Sequence, residues 1–328
     1  MTATATTPTL HVPARDIPVP AHLSPQAQAI LAMAPPSEQP VFPAVDDVEG
    51  WRALIARTDE MILAMMSGRA SQVAADVDEI DVDGVRVYLI TPRGTPADDR
   101  RAYLEIHGGG FIMGGGACCR AMGLNTVNYT GVRTWAVDYR MPPDHPYPAG
   151  LDDCVTVYRA LLRDHRPDDI IVGGASAGGG LATSLILRAR DEGLPLPAAA
   201  VLLTPAVDFT ESGDSFHTNA GVDTVLGGGG MPLHELYAGG HDPAEPYLSP
   251  LFGDFAKGFP PTLLATGTRD LLLSNTVRMH RALRAAGVPA DLHVMEAAPH
   301  GGFQGTAPED DELVREVRHF VDTHWATA

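Results

Sequence analysis

The run Ile170-Ile171-Val172-Gly173-Gly174-Ala175-Ser176-Ala177-Gly178-Gly179-Gly180 limits the possible folds of this chain more than any other stretch. A short apolar segment passes straight into a glycine-flanked serine. A helical pattern follows, in which Leu181, Leu185 and Ala189 share one face. Gly-x-Ser-x-Gly at a strand-to-helix turn has a mechanical reading: the serine backbone is strained, and side chains at the flanking positions would collide with the strand and helix beside it. Such a turn exposes the hydroxyl and aims a helix N-terminus at developing negative charge. A plain glycine-rich turn is the bland alternative. A phosphate loop is disfavoured because G-x-x-x-x-G-K-[ST] is missing, and a dinucleotide fingerprint belongs on the first βαβ unit instead.

A buried strand of this kind needs parallel neighbours, and the sequence supplies them. Val77–Val82 and Val85–Ile90 flank Asp83-Gly84, a dipeptide suited to a two-residue hairpin. Further strands are expected at Ala102–Ile106, Thr134–Tyr139, Ile170–Gly173, Ala199–Leu203, Thr262–Ala265 and Asp291–Met295. Between them, Leu151, Cys154, Val155, Tyr158, Leu161 and Leu162 form a helical stripe, as do Leu313, Val317 and Phe320 near the end, after an acidic first turn. The fold class is therefore α/β: an eight-stranded, mostly parallel sheet covered by helices on both faces. Two regions stand apart. Residues 1–50 are proline-rich and read as an N-terminal cap arm with a short helix near Gln26–Met33. Residues 51–328 read as the catalytic domain, within which 206–260 has no clear strand and many Gly and Pro, including the run Gly227–Gly230. A loop that long is expected to be functional, here a lid.

The serine needs partners. His107-Gly108-Gly109-Gly110 follows a strand, and glycines let a backbone approach a carbonyl oxygen closely enough for N–H donation. Gly108 and Gly109, with Ala177 after the serine, are the expected oxyanion donors; His107 is expected to tie the loop down, and Gly114-Gly115-Gly116 to allow a bend toward the cap. An orienting acid and a base should follow the serine in that order, each after a strand. Asp270 and His300 satisfy this, although a lone Asp270 would read as a helix cap and a lone His300 as a surface turn. His293 within a strand, His280 within a helix, and Asp208 and Asp223 are weaker choices. Asp270→Asn is expected to cost nearly as much as loss of the serine, through the wrong imidazole tautomer.

Composition removes other classes. A formal net charge of −18 argues against nucleic acid as a partner. Lys257 is the sole lysine and lies beside Gly258, which argues against lysine-based covalent chemistry. The three cysteines, Cys118, Cys119 and Cys154, contain no C-x-x-C, so neither a disulfide framework nor a metal site is expected. No stretch is apolar enough to span a membrane, and the first thirty residues lack a basic start followed by an apolar run. A cytoplasmic location is expected.

With these residues in hand, the chain resembles the bacterial hormone-sensitive-lipase-like (family IV) esterases of the α/β-hydrolase superfamily, from about residue 76 to the end. The resemblance is carried by His107-Gly108-Gly109-Gly110-Phe111, by Val137-Asp138-Tyr139-Arg140 with His145-Pro146-Tyr147-Pro148-Ala149, by Gly174-Ala175-Ser176-Ala177-Gly178-Gly179, and by Pro299-His300-Gly301. It implies the α/β-hydrolase fold, an N-terminal cap, short- to medium-chain carboxylic esters as substrates, no cofactor, and frequent homodimers through the last strand. Two positions depart from the family pattern. Ala175 stands where an Asp is usual, and Asp270-Leu271-Leu272-Leu273-Ser274 replaces Asp-Pro-Leu-x-Asp. The stretch from Thr268 to Arg278 is also similar to bacterial monoterpene ε-lactone hydrolases, so a lactone remains an alternative substrate. A non-catalytic receptor on the same fold is a further alternative, like the plant gibberellin receptors that lack the histidine.

Overall fold

The computed structural model describes residues 9–33, 42–70, 72–228 and 231–325. Parts of the expected cap arm (1–8 and 34–41) and, from the glycine run, Gly229 and Gly230 lie outside the described residues. In chain order the elements are α1 (Pro25–Leu31), α2 (Val48–Ala70), β1 (Ala75–Val82), β2 (Val85–Pro92), β3 (Ala102–Ile106), α3 (Ala117–Thr130), β4 (Thr134–Val137), α4 (Ala149–Asp164), β5 (Ile170–Ala175) and α5 (Ala177–Asp191). Then come β6 (Ala199–Leu203), the single turn α6 (Ser215–Thr218), α7 (Met231–Ala238), β7 (Thr262–Gly267), α8 (Leu273–Ala285), β8 (Ala290–Met295) and α9 (Pro308–His324).

The eight strands form one sheet in the order β1-β2-β4-β3-β5-β6-β7-β8. The β1–β2 and β2–β4 pairs are antiparallel, and all later pairs are parallel. The hairpin turns at Asp83 and Gly84, both at positive φ (51° and 90°), as a two-residue turn of this hand requires. The inner strands are buried throughout β3 and β7 and almost throughout β5 and β6, because helices cover both faces. Burial even reaches Glu105 in β3, whose carboxyl is pushed up to about 8 by desolvation and so holds its proton at neutral pH. The larger core packs Leu104, Ile106, Val172, Leu181, Leu185 and Leu202 beneath α4 and α5. A second core on the opposite face joins Ile171, Val201 and Leu263 to Val317 and Phe320 of α9.

All eight expected strands are present, with β4 ending at Val137 rather than Tyr139. Helices α2 and α3, like the short α6 and α7 of the 206–260 segment, have no counterpart in the sequence expectations. Helix α2 lacks a clean apolar stripe; Trp51 is fully buried, while Met61 and Met65 are exposed. Helix α3 hides for the opposite reason. Cys118, Cys119, Ala121, Leu124 and Val127 bury it on several sides, leaving only Ala117, Arg120 and Asn128 exposed, too narrow a strip to give it a clear period. The 206–260 segment contains no strand among the described residues, but it is well packed. Phe209, Phe216, Tyr237, Leu248, Phe255 and Phe259 are all buried. No helix among the described residues is long and apolar enough to cross a membrane.

Candidate active site

Ser176 sits between the end of β5 and the start of α5 with φ 56° and ψ −121°. A non-glycine residue at positive φ is strained, and here the surroundings hold it in place. Its N–H donates to Leu203 O (2.9 Å) and its carbonyl accepts from Ala206 N (3.0 Å), so β6 and the chain beyond it clamp the turn. The flanking glycines are required by contact. A Cβ on Gly178 would lie 1.9 Å from Ile106 O, and one on Gly174 would lie 2.5 Å from the same atom.

The structure brings Asp270 and His300 to this serine. His300 Nε2 lies 2.9 Å from Ser176 Oγ, and His300 Nδ1 lies 2.9 Å from Asp270 Oδ1. An ionised carboxylate only accepts, so Nδ1 carries the ring proton and Nε2 is left to accept from the serine hydroxyl. Asp270 is fully buried. Its Oδ1 also accepts from Leu272 N (2.8 Å) and its Oδ2 from the Thr266 hydroxyl (2.8 Å). The contact with Leu272 N closes a turn just ahead of α8, whose N-cap is Leu272, so the helix-cap role that a lone Asp270 suggests is not the one it takes. Burial pulls the His300 pKa down, but the charge and hydrogen bond of Asp270, with Asp223 behind them, raise it above the ordinary histidine value.

The glycine loop after β3 lies against the same turn. A Cβ on Gly108 would stand 2.9 Å from Ala175 O, and Gly109 adopts φ 122° with its Cβ position 2.0 Å from Met113 O. Among the described residues, the N–H groups of Gly108 and Gly109 donate to no protein acceptor, so both are available to a ligand. His107 stands apart from the relay. Its ring stacks on Tyr139 (4.2 Å between centroids, 13° between planes), its Nδ1 lies 2.8 Å from Gly108 O, and Tyr139 donates to His107 O (3.0 Å). The second glycine cluster is tied from outside: Asp59 of α2 accepts from Gly114 N (2.8 Å), and Asp138 accepts from Gly116 N (2.9 Å). Sequence reasoning missed Asp59, whose only signal was an acid on a helix that itself went unread.

Phe111, next to the glycine loop, joins it to the 206–260 segment through ring contacts with Phe209 (4.9 Å) and Tyr237 (4.5 Å). Leu233 of α7 comes within 3.8 Å of a Cβ placed on Gly110. The N-terminal arm reaches the other side. Pro18 O accepts from Arg269 (2.9 Å), and Ser24 bonds Glu309 through both its N–H and its hydroxyl (2.7 Å each). Helix α1 packs Ala27 and Leu31 on Ala297, Ala298 and Phe303, the loop that carries His300. Among the described residues, one trio of side chains could bring ligand atoms together for a metal, with His107, Cys119 and Asp138 within 4.8 Å of one another. The donor set does not suit a metal. Asp138 is held by Arg86 (2.5 Å), and burial pushes the Cys119 thiol well above its ordinary pKa, which keeps it protonated.

The sequence profile of the alpha/beta hydrolase fold family matches residues 103–304, which span the glycine loop, the serine turn, Asp270 and His300. An acetyl-hydrolase of Streptomyces hygroscopicus is 35% identical over 193 residues; the match covers 58% of this chain and 64% of that protein, just under two thirds of its length. Among solved structures, that of an esterase E25 superposes with a TM-score of 0.90 at 36% identity, covering 97% of this chain and 99% of that one. An esterase from the bacterial hormone-sensitive lipase family superposes with a TM-score of 0.76 at 32% identity, covering 86% and 98%.

Proposed function

Because this chain belongs to the alpha/beta hydrolase fold family and, within it, to the bacterial hormone-sensitive-lipase-like esterases, we propose that it hydrolyses short- to medium-chain carboxylic esters through an acyl-enzyme on Ser176. The observation that supports this most is the unbroken relay from Asp270 through His300 to Ser176, with two contacts of 2.9 Å. His300 Nε2 takes the proton as Ser176 Oγ attacks the ester carbonyl, and Asp270 stabilises the imidazolium that forms. The carbonyl oxygen becomes an oxyanion and accepts from the N–H groups of Gly108, Gly109 and Ala177. His300 then protonates the leaving alcohol, and a water molecule repeats the sequence on the acyl-enzyme.

The acyl and alcohol groups would lie between the N-terminal arm and the 206–260 segment, the two parts of the proposed cap. Leu233 near Gly110 and the Phe111–Phe209–Tyr237 cluster support this placement, since apolar walls beside the oxyanion loop suit a short acyl chain. A hydrolysis panel of p-nitrophenyl esters of increasing acyl length, tertiary-alcohol esters and a monoterpene ε-lactone tests the substrate class, with a fluorophosphonate label in parallel. The expected result is highest kcat/KM on short acyl esters and labelling of Ser176. A lactone preferred over every open-chain ester would replace the substrate class. Neither turnover nor labelling would point to a receptor instead.

The same reading extends to assembly. Strand β8 is the last of the sheet, with Val294 42% exposed, and no described strand pairs its outer edge. An unpaired edge of this kind suits antiparallel pairing with a second copy. Sedimentation equilibrium at micromolar concentration is expected to give a dimer; a monomer mass at that concentration would remove this part of the proposal.

A further inference from the structure

Three polar residues of the 206–260 segment recur at four-residue spacing, Ser215, Asn219 and Asp223, and all three bond the loop that carries Asp270. Ser215 donates through its hydroxyl to Leu271 O (2.7 Å) and accepts from Ser274 N (2.9 Å). Asn219 Nδ2 donates to Asp270 O (2.8 Å) and Thr268 O (3.2 Å). Asp223 Oδ2 accepts from Leu271 N at 2.8 Å. The peptide unit joining Asp270 to Leu271 is therefore gripped at both ends, its carbonyl by Asn219 and its N–H by Asp223. The other oxygen of Asp223 reaches the histidine loop: Oδ1 lies 3.4 Å from His300 N and also accepts from Val225 N (2.8 Å) and Leu226 N (3.2 Å).

We propose that Asp223 is a positioning residue for the relay, a buried carboxylate that holds the Asp270 loop and the His300 loop in register from the inserted segment, with Asn219 as its counterpart. The proposal rests on the reading of Ser176, His300 and Asp270 as the catalytic relay. Asp223 is fully buried and touches none of the reacting atoms. Its cost of burial is offset by the N–H groups of Leu271, Val225 and Leu226, which a carboxylate accepts from both of its oxygens. A carboxamide cannot do this. One end of Asn at this position would present N–H to N–H, against either Leu271 or the turn of Val225 and Leu226. The second consequence is electrostatic. The charged groups that face His300 are Asp270 at the ring and Asp223 at the main chain, and each favours the imidazolium.

The test is Asp223→Asn, assayed over pH with a p-nitrophenyl ester alongside thermal melting and fluorophosphonate labelling. A misplacement of the relay by a fraction of an ångström is expected to lower kcat by about 10- to 100-fold with little change in KM. Loss of a negative charge beside His300 lowers its pKa, so the acid limb of kcat/KM against pH is expected to move to lower pH. Retained labelling of Ser176 would show that the relay reading stands whatever the outcome for Asp223. A kcat within about twofold of wild type, or an unmoved acid limb, would overturn the proposal and leave Asp223 a structural residue. If Asp223→Asn does not fold, Asn219→Ala decides instead. It releases one end of the same peptide without removing a charge, so kcat is expected to fall while the acid limb stays in place. An unchanged kcat in folded Asn219→Ala would overturn the proposal equally.

Discussion

Ser176→Ala is expected to lower kcat on p-nitrophenyl acetate by about 10⁶-fold, and His300→Ala by a similar factor. The reason is the shared proton. His300 Nε2 lies 2.9 Å from Ser176 Oγ, and neither group performs its step without the other. The double variant is expected to be no worse than either single one, because residues that act as a unit are not additive. A residual acceleration of roughly 10³-fold over water should remain, since the N–H groups proposed as oxyanion donors, those of Gly108, Gly109 and Ala177, are untouched by either substitution. Steady-state kinetics on the two single variants and the double checks this. Turnover of Ser176→Ala at the wild-type rate would remove the nucleophile assignment altogether.

The second large effect is Asp270→Asn, and here the structure revises what the sequence suggested. Where an Asn amide donates to Nδ1, the imidazole is forced into the wrong tautomer, at a cost of about 10⁴-fold. In this chain Oδ1 of Asp270 also accepts from Leu272 N (2.8 Å), whereas Oδ2 faces the Thr266 hydroxyl (2.8 Å). An Asn is best satisfied with its oxygen toward Leu272 and its NH₂ toward Thr266, whose hydroxyl can turn to accept. Nδ1 of His300 then keeps its acceptor and its proton. What is lost is the charge that stabilises the imidazolium, so kcat/KM is expected to fall by roughly 10²- to 10³-fold, short of the tautomeric penalty. The acid limb should also move to lower pH, because Asp270 raises the His300 pKa in the native enzyme. A loss of about 10⁴-fold or more would show that the amide had turned the other way. Full activity would show that another carboxylate orients the ring.

The contrast between Asp270 and Asp223 shows where sequence reasoning stops. Asp270 could be found because its place in chain order, one loop past β7 and ahead of His300, follows from how a parallel sheet delivers loops to one edge. Asp223 reads in the sequence only as a weaker choice for the acid. It caps a turn, through Val225 and Leu226, and that local role conceals the longer reach to Leu271 and His300. Its partners there are main-chain N–H groups, which every residue but proline carries, so no side-chain type marks the other end. Asp59 escaped notice in the same way, because its partner is the N–H of Gly114.

By itself, the sequence determined the alternation of strands and helices, the hairpin at Asp83-Gly84 and the turn at Ser176. Each of these depends on neighbours within a few residues, through period, glycine or positive φ. It also determined the chain order of the residues proposed here as nucleophile, acid and base. Only the tertiary structure decided that α2 reaches Gly114, that the arm at Pro18 reaches Arg269, that the 206–260 segment is packed rather than loose, and that Ser215, Asn219 and Asp223 grip the Asp270 loop. The gripped residues lie 48 to 77 positions from Asp223 and 49 to 51 from Asn219. Hydrogen bonds across such separations are set by the packed sheet, and local sequence carries no trace of them.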